Sequence, residues 1–322
     1  MSRSLAILLV AASFAAVAAA LSPFLGEAID FSSEKGRFIF FQLRLPRTLL
    51  GLGAGAALAS AGVVLQAILR NPLATEYTLG VASGSAFAVV LAVSLGLDAV
   101  LGPNLGRPLV GMAGAVAVIS LTYRAARVRG HLPTHTLLLA GVALTYLFSA
   151  LVLAVQYRAT PADAARILRW LVGSLESGIR YTAPAIVGGG AVLGLLALLP
   201  LGRAFNAMGG GEEAARGVGV DVERVVRRGY LAASLMVGVV VAFAGPIGFL
   251  GLLIPHALRL LRLVDNRYLL PASALAGGGF LALCDGLTNL LPGTALPVGV
   301  VTQLLGGPFF LALLLREKTR AY

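Results

Sequence analysis

Charge is the scarcest commodity in this sequence. Only 12% of its 322 residues are Asp, Glu, Lys or Arg, where a soluble globular domain carries about a quarter. Lysine is nearly absent. The two present, Lys35 and Lys318, do not follow a glycine, so the chain has no phosphate-cradling loop of the form G-x-x-x-x-G-K-[ST]. Any ATP that drives it must be hydrolysed by another polypeptide. Cys284 is the single cysteine, which excludes an intrachain disulfide and a cysteine-based metal cluster. The three histidines, His131, His135 and His256, form no H-E-x-x-H pair and no other metal-ligand spacing, so no metal site is expected.

What the chain has instead is apolar length. Hydrophobic residues make up 58% of it, and runs such as Leu5 to Leu21 and Ala183 to Leu201 contain no charge. At 1.5 Å per residue each run is long enough to cross a bilayer. The net charge of +11 does not point to nucleic acid. Nearly all the arginines sit at the ends of apolar runs, where they anchor spans, and no basic helix with stacking aromatics accompanies them. Met1 to Phe24, with Arg3, an apolar stretch and Ala18-Ala19-Ala20, has the outline of a secretory signal. Its apolar run exceeds the usual signal core of roughly 7–15 residues, so it reads as an uncleaved first span.

Apolar runs between charged or Pro/Gly-rich breaks predict an all-α polytopic membrane protein of about ten spans. They lie near 4–25, 46–69, 76–97, 107–123, 135–157, 181–201, 224–244, 247–264, 271–291 and 297–315. The third is interrupted by Gly84, and the eighth by Gly245-Pro246 with Gly248 and Gly251. With the N-terminus inside, the cytoplasmic connections hold Arg70, Arg124, Arg127, Arg129, Arg203, Arg216, Arg224, Arg227, Arg228, Arg262 and Arg267, with Arg3, Arg316, Lys318 and Arg320 at the ends. The outer set is Lys35, Arg37, Arg44, Arg47, Arg107, Arg158, Arg166, Arg169 and Arg180, accompanied by Glu27, Asp30, Glu34, Asp98, Asp163 and Glu176. The positive-inside rule therefore predicts an inner-membrane protein with both termini cytoplasmic.

Gly51, Gly55 and Ala59, and again Gly190 and Gly194, recur at helical spacing and read as packing seams, the ordinary way in which membrane helices associate. Residues 202–223 turn polar in mid-chain. This longest cytoplasmic segment reads as a short helix between glycines, with Glu212 and Glu213 near its N-terminus, where the helix dipole favours negative charge. A secondary transporter places ionisable groups within the membrane to carry coupling ions. Asp285 is the clearest acidic residue inside an apolar run here, with a structural partnership to a neighbouring helix end or hydroxyl as its simpler reading.

Three stretches resemble the FecCD/BtuC-like permeases of type II ABC importers for ferric siderophores, haem and cobalamin. The first runs from Arg44-Leu45-Pro46-Arg47 through Gly55-Ala56-Ala57-Leu58-Ala59 to Gln66, Arg70 and Asn71-Pro72-Leu73-Ala74. The second is Leu138-Leu139-Ala140-Gly141-Val142 followed by Trp170-Leu171-Val172-Gly173-Ser174-Leu175. The third runs from Gly245-Pro246-Ile247-Gly248-Phe249-Leu250-Gly251-Leu252 through Pro255-His256 and Arg259 to Leu296-Pro297-Val298-Gly299 and Gly306-Gly307-Pro308-Phe309-Phe310. Their order and spacing over residues 40–315 make the match specific.

The resemblance implies ten spans per subunit and a homodimer in lipid, with two cytoplasmic ATPase subunits and a periplasmic or lipid-anchored binding protein that delivers cargo. It implies no cofactor on this chain, ATP and Mg being held by the partner ATPase. Arg44 and Arg47 match the outward arginines that pair with glutamates of the binding protein, a role that suits exposed guanidinium forks. Gly211 to Gly219 matches the region that couples to the ATPase, with Glu212, Glu213, Ala214, Arg216, Gly217 and Gly219 as its residues. Thr134 and His135 fall where some relatives narrow the cytoplasmic end of the pathway, although a histidine there departs from the family.

Asn289 and Ala295 stand where the family often has an arginine and an acidic residue, so a third docking arginine is missing. Thr75-Glu76-Tyr77 replaces an expected proline. The function implied is import of a bulky metal chelate by alternating access, ferric siderophore first and haem or cobalamin next, with a small oxyanion as a rarer cargo. The rival from another class is a secondary transporter driven by an ion gradient.

Overall fold

The structure, a computed structural model, describes residues 3–97, 102, 106–128, 131–175, 180–290 and 296–320, with the backbone alone for 313–320. Asp98, Arg129, Glu176 and Ala295, named above, lie outside the described residues. The described chain is helical: α1 (Arg3–Leu21), α2 (Glu34–Phe38), α3 (Leu45–Leu69), α4 (Val81–Ser94), α5 (Gly106–Ala126), α6 (Thr134–Arg158), α7 (Pro161–Leu171), α8 (Thr182–Leu198), α9 (Gly202–Met208), α10 (Glu212–Gly217), α11 (Val222–Ala244), α12 (Leu250–Leu260), α13 (Asn266–Thr288) and α14 (Val298–Arg320). Among the described residues seven helical segments are long and apolar enough to cross a membrane, and three shorter apolar helices, Val81–Ser94, Leu250–Leu260 and Val298–Ala312, stand where the other expected spans fall.

The two interrupted spans are shorter than the apolar runs for a local reason. Thr75 to Gly80 is spent on a 3-10 turn, Glu76–Leu79, so α4 starts only at Val81. In the eighth, Gly245 to Gly248 is irregular, Phe249 takes a left-handed N-cap conformation, and α12 ends before Arg262, which is also left-handed. Its 11 residues rise only about 16 Å, less than a hydrocarbon core of about 30 Å. The irregular backbone at both ends must therefore be enclosed by protein.

The body forms around α3, whose apolar window is 83% buried and which packs against α13, α8, α11 and α12. Its small residues set how close those helices come. A Cβ at Gly55 would lie 2.1 Å from the Gly277 carbonyl oxygen, and one at Gly62 would lie 2.0 Å from that of Gly251. The expected seams are there, tight at Gly55 against α13 and at Gly194 against Met236, and looser at Gly190, where a Cβ would meet Val239 at 3.5 Å.

Three motifs far apart in sequence close on one another at the end of the bundle where α3 begins. Gly173 and Gly245 both have positive φ, 72° and 69°, a conformation that costs a side chain but not a glycine. Added Cβ atoms would lie 2.4 Å from the Pro246 and Trp170 carbonyl oxygens respectively. The Ser174 amide donates to the Ala244 carbonyl at 2.8 Å, and the Gly299 amide to that of Gly173 at 3.2 Å. The segments Trp170 to Ser174, Ala244 to Pro246 and Pro297 to Gly299 thus form a single knot.

Candidate functional site: two polar ends of one helical core

Helix α3 joins two polar regions about 37 Å apart along its 25 residues. At its first turn, with Pro46 pre-set for a helix start, Arg44 and Arg47 do different things. Arg44 is half-buried and donates to the Glu27 carbonyl at 3.0 Å and to the Pro23 carbonyl at 3.3 Å. Arg47 turns toward α13. Its Nε lies 2.6 and 2.8 Å from the two carboxylate oxygens of Asp285, and its Nη2 is 3.4 Å from Thr288 Oγ1. Asp285 is buried, so the carboxylate singled out in the ninth span has a structural partner in Arg47. Asn289 ends α13 beside Gly26, close to the Arg44 side chain.

Above the three-motif knot is a cavity of about 500 Å3 whose lining includes Arg47, Arg107, Arg166, Arg169 and Trp170. Arg166 and Arg169 come from α7, an amphipathic helix that Thr160 caps by accepting the Asp163 amide at 3.2 Å, with Pro161 at its first position. Arg166 pairs with Asp163 one turn back, and hydrogen bonds from Thr160 and Arg166 hold the Asp163 carboxyl below its usual range. No acidic residue is among the described lining of this cavity.

At the other end, residues 202–223 form two short helices, α9 and α10, where one was expected. Gly209-Gly210-Gly211 separates them. α9 is tied to the start of α13: Asn206 donates to Asp265 at 2.7 Å and accepts the Asn266 amide at 2.8 Å. Hydrogen bonds from Arg267 first, and then from Asn206, pull the Asp265 carboxyl down to about 2. On α10, Ala215 is buried and anchors the helix, while Glu213, Ala214, Arg216 and Gly217, and Gly219 just after it, are exposed.

Glu212 faces the other way. Its Oε1 accepts from Thr134 Oγ1 at 3.0 Å and lies 3.8 Å from Arg70 Nη2, and its Oε2 lies 3.5 Å from Arg216 Nη2. Thr134, the first residue of α6, is buried, whereas His135 beside it is exposed. Arg70 is the left-handed C-cap of α3, and Asn71 closes the turn after it by accepting the Leu73 amide at 2.9 Å. A cavity of about 510 Å3 borders this junction, lined in part by His131, Glu212, Arg216, Asp221 and Glu223.

Sequence reasoning missed one acidic residue. Glu76 opens the 3-10 turn before α4, is buried, and neither carboxylate oxygen has a hydrogen-bond partner among the described residues. A Cβ on Gly251 would lie 2.5 Å from its Oε2. The same stretch of α12 receives Gln66, whose Nε2 donates to the Gly251 carbonyl at 2.9 Å and whose Oε1 accepts from Arg259. A residue already flagged for standing in place of a proline was the available signal. Among the described residues no three His, Cys, Asp or Glu side chains converge as metal ligands would.

With this geometry in view, likeness to known proteins covers nearly the whole chain. The model of the FecCD transport family matches residues 4–316. The chain is 40% identical over 296 residues to the cobalamin import system permease protein of Halobacterium salinarum, spanning 89% of this chain and 76% of that one. It is 41% identical over 295 residues to the vitamin B12 import system permease protein of Escherichia coli, spanning 89% and 86%. Among solved structures, a metal-chelate type ABC transporter in an inward-facing conformation superposes with a TM-score of 0.84 and 31% identity over 97% of this chain and 99% of that one.

Proposed function

Because the chain belongs to the FecCD transport family, a family of multi-pass ABC importer permeases, we propose that it is the membrane subunit through which ATP hydrolysed elsewhere drives import of a cobalamin-like metal chelate. The two relatives compared above are cobalamin permeases at 40% and 41% identity. Their names move a corrinoid ahead of the ferric siderophore that the sequence put first, with haem after both. The observation that carries the reading is the opposition of two polar ends across one buried helix: Arg44 where α3 starts, and the Glu212, Thr134 and Arg70 junction where it stops.

In this account two copies pack in the inner membrane with their termini in the cytoplasm, as the positive-inside rule favours for the arginine-richer set of connections. The exposed side of α10, with Glu213, Ala214, Arg216, Gly217 and Gly219, seats in a cytoplasmic ATPase subunit, one per copy. That subunit carries the ATP and Mg, and this chain performs no covalent chemistry and holds no cofactor. A periplasmic or lipid-anchored binding protein docks at the Arg44 end. Its carboxylates are met by Arg44 and by the arginine-lined cavity of α7, which supplies positive charge where Asn289 leaves none. Thr134 and His135 stand at the inward mouth of the pathway.

The test is uptake by proteoliposomes holding this chain with its ATPase and binding protein. ATP-dependent accumulation of cyanocobalamin is expected, and a ferric siderophore supplied through the same binding protein should be taken up less well. Uptake by the chain alone on a proton or sodium gradient would instead support an ion-coupled carrier, for which Glu76 is the residue to examine first.

A further inference from the structure

We propose that Glu212 is a latch between the coupling helix and the foot of α6, and that it works by holding Thr134 and Arg70, not by touching the ATPase. The proposal rests on the import reading given above.

Two contacts that leave its own helix set one carboxylate apart from its neighbours. Glu213 and Ala214 on the same turn of α10 are exposed, whereas the Glu212 side chain is 25% exposed and turned inward, with the Thr134 hydroxyl donating to it at 3.0 Å and the guanidinium of Arg70 at 3.8 Å, besides Arg216 of α10 itself at 3.5 Å. Thr134 and Arg70 end two very different helices. Arg70 caps α3, the fixed centre of the body. Thr134 starts α6, whose apolar window is only 11% buried against 83% for α3. Helix α6 is held to the body along one side, where Gly141 packs on the Leu79 backbone and Thr145 donates to the Tyr77 carbonyl at 2.8 Å.

A carboxylate clamped between a fixed helix end and a loosely packed one converts movement of α10 into movement of α6. If α10 shifts, the bond to Thr134 pulls the foot of a 25-residue helix, and a rigid helix carries a tilt at its foot along its whole length. Glu212 is thus a positioning residue, and Thr134 receives the motion. Hydrogen bonds to an ionised group are the stronger kind and depend on direction, which a linkage of this type requires.

The test uses the full complex in proteoliposomes, with Thr134→Val, Thr134→Ser, Glu212→Ala and the double variant Thr134→Val with Glu212→Ala. Cyanocobalamin taken up per ATP hydrolysed is expected to fall by about tenfold in Thr134→Val and in Glu212→Ala, the effect of losing one charge-assisted bond. It should return in Thr134→Ser, which keeps the hydroxyl. The double variant should be no worse than either single one, because both remove the same link. Co-purification of the ATPase subunits should be unchanged throughout.

Loss of ATPase association in Glu212→Ala, or wild-type coupling in Thr134→Val, overturns the latch, and so does additivity in the double variant. Should the wild-type complex fail to import at all, the import reading fails by itself. The latch is then decided by amide hydrogen exchange in the first turn of α6, which must quicken in Glu212→Ala and Thr134→Val but not in Thr134→Ser; unchanged exchange refutes it.

Discussion

Arg47 and Asp285 lie 238 residues apart in the chain and meet as a largely buried ion pair, with side-chain exposures of 17% and 3%. Removing one member of such a pair strands the other and costs about 3–5 kcal/mol, while replacing both with packed apolar residues is often close to neutral. Asp285→Ala should therefore lower the thermal unfolding midpoint of the purified protein in detergent, and Arg47→Leu with Asp285→Leu should recover most of the loss. A single substitution without effect on the midpoint would contradict the pair.

The same contact changes how docking must be tested. Arg47→Glu sets a carboxylate against Asp285 and damages the fold whatever the arginine does outside, whereas the hydrogen bonds of Arg44 among the described residues go to backbone carbonyls. Arg44→Glu alone is the clean reversal. It should abolish binding-protein-dependent uptake by a chain that still co-purifies with its ATPase, and undiminished uptake would remove Arg44 from the docking surface. Glu76 makes the opposite prediction at this scale. A buried polar group without a partner costs about 1–3 kcal/mol, so Glu76→Leu should leave the unfolding midpoint equal or higher, and a fall would reveal a partner. The residue types at these places were legible, but their pairings were not, since nothing local in the sequence brings Asp285 to Arg47 or turns Glu212 away from Glu213.

Among elements, the helices that read best were the long apolar ones, because length and the absence of charge are local properties. The α3 seam was legible as small residues at helical spacing, and the structure adds which contacts are tight. Gly55→Leu should prevent α3 from approaching α13 and cut the yield of monodisperse protein in size-exclusion chromatography, while Gly190→Ala, with room at 3.5 Å, should behave as wild type. Equal yields from both would deny the seam. Helix α7 was passed over as outer loop, although Thr160-Pro161-Ala162-Asp163 carries a helix start: an N-cap, a proline at the first position and an acid in the first turn. The shortness of α12 was half legible. Gly245-Pro246 marked its break, but the knot of Gly173, Gly245 and Gly299 that fixes the break is assembled only in three dimensions.

For the whole molecule, Arg44 and Arg47 stand where α3 begins and Arg70 where it ends. Fold and family were legible because the motifs are many, ordered and spread over the full length. Cargo was not, because no single residue of this chain declares it, and the relatives' names supply the direction that the sequence lacked. The reading of an energy-dependent permease joins these scales: the chain lacks a phosphate loop, presents α10 at one end and Arg44 at the other, and places the latch of Glu212 between the coupling helix and α6. Its most direct measurement is accumulation of radiolabelled cyanocobalamin in proteoliposomes containing the chain, its ATPase and its binding protein, with ATP enclosed. The account predicts accumulation that requires all three proteins and ATP and persists when ion gradients are collapsed. Accumulation that needs a gradient and proceeds without the ATPase would contradict it.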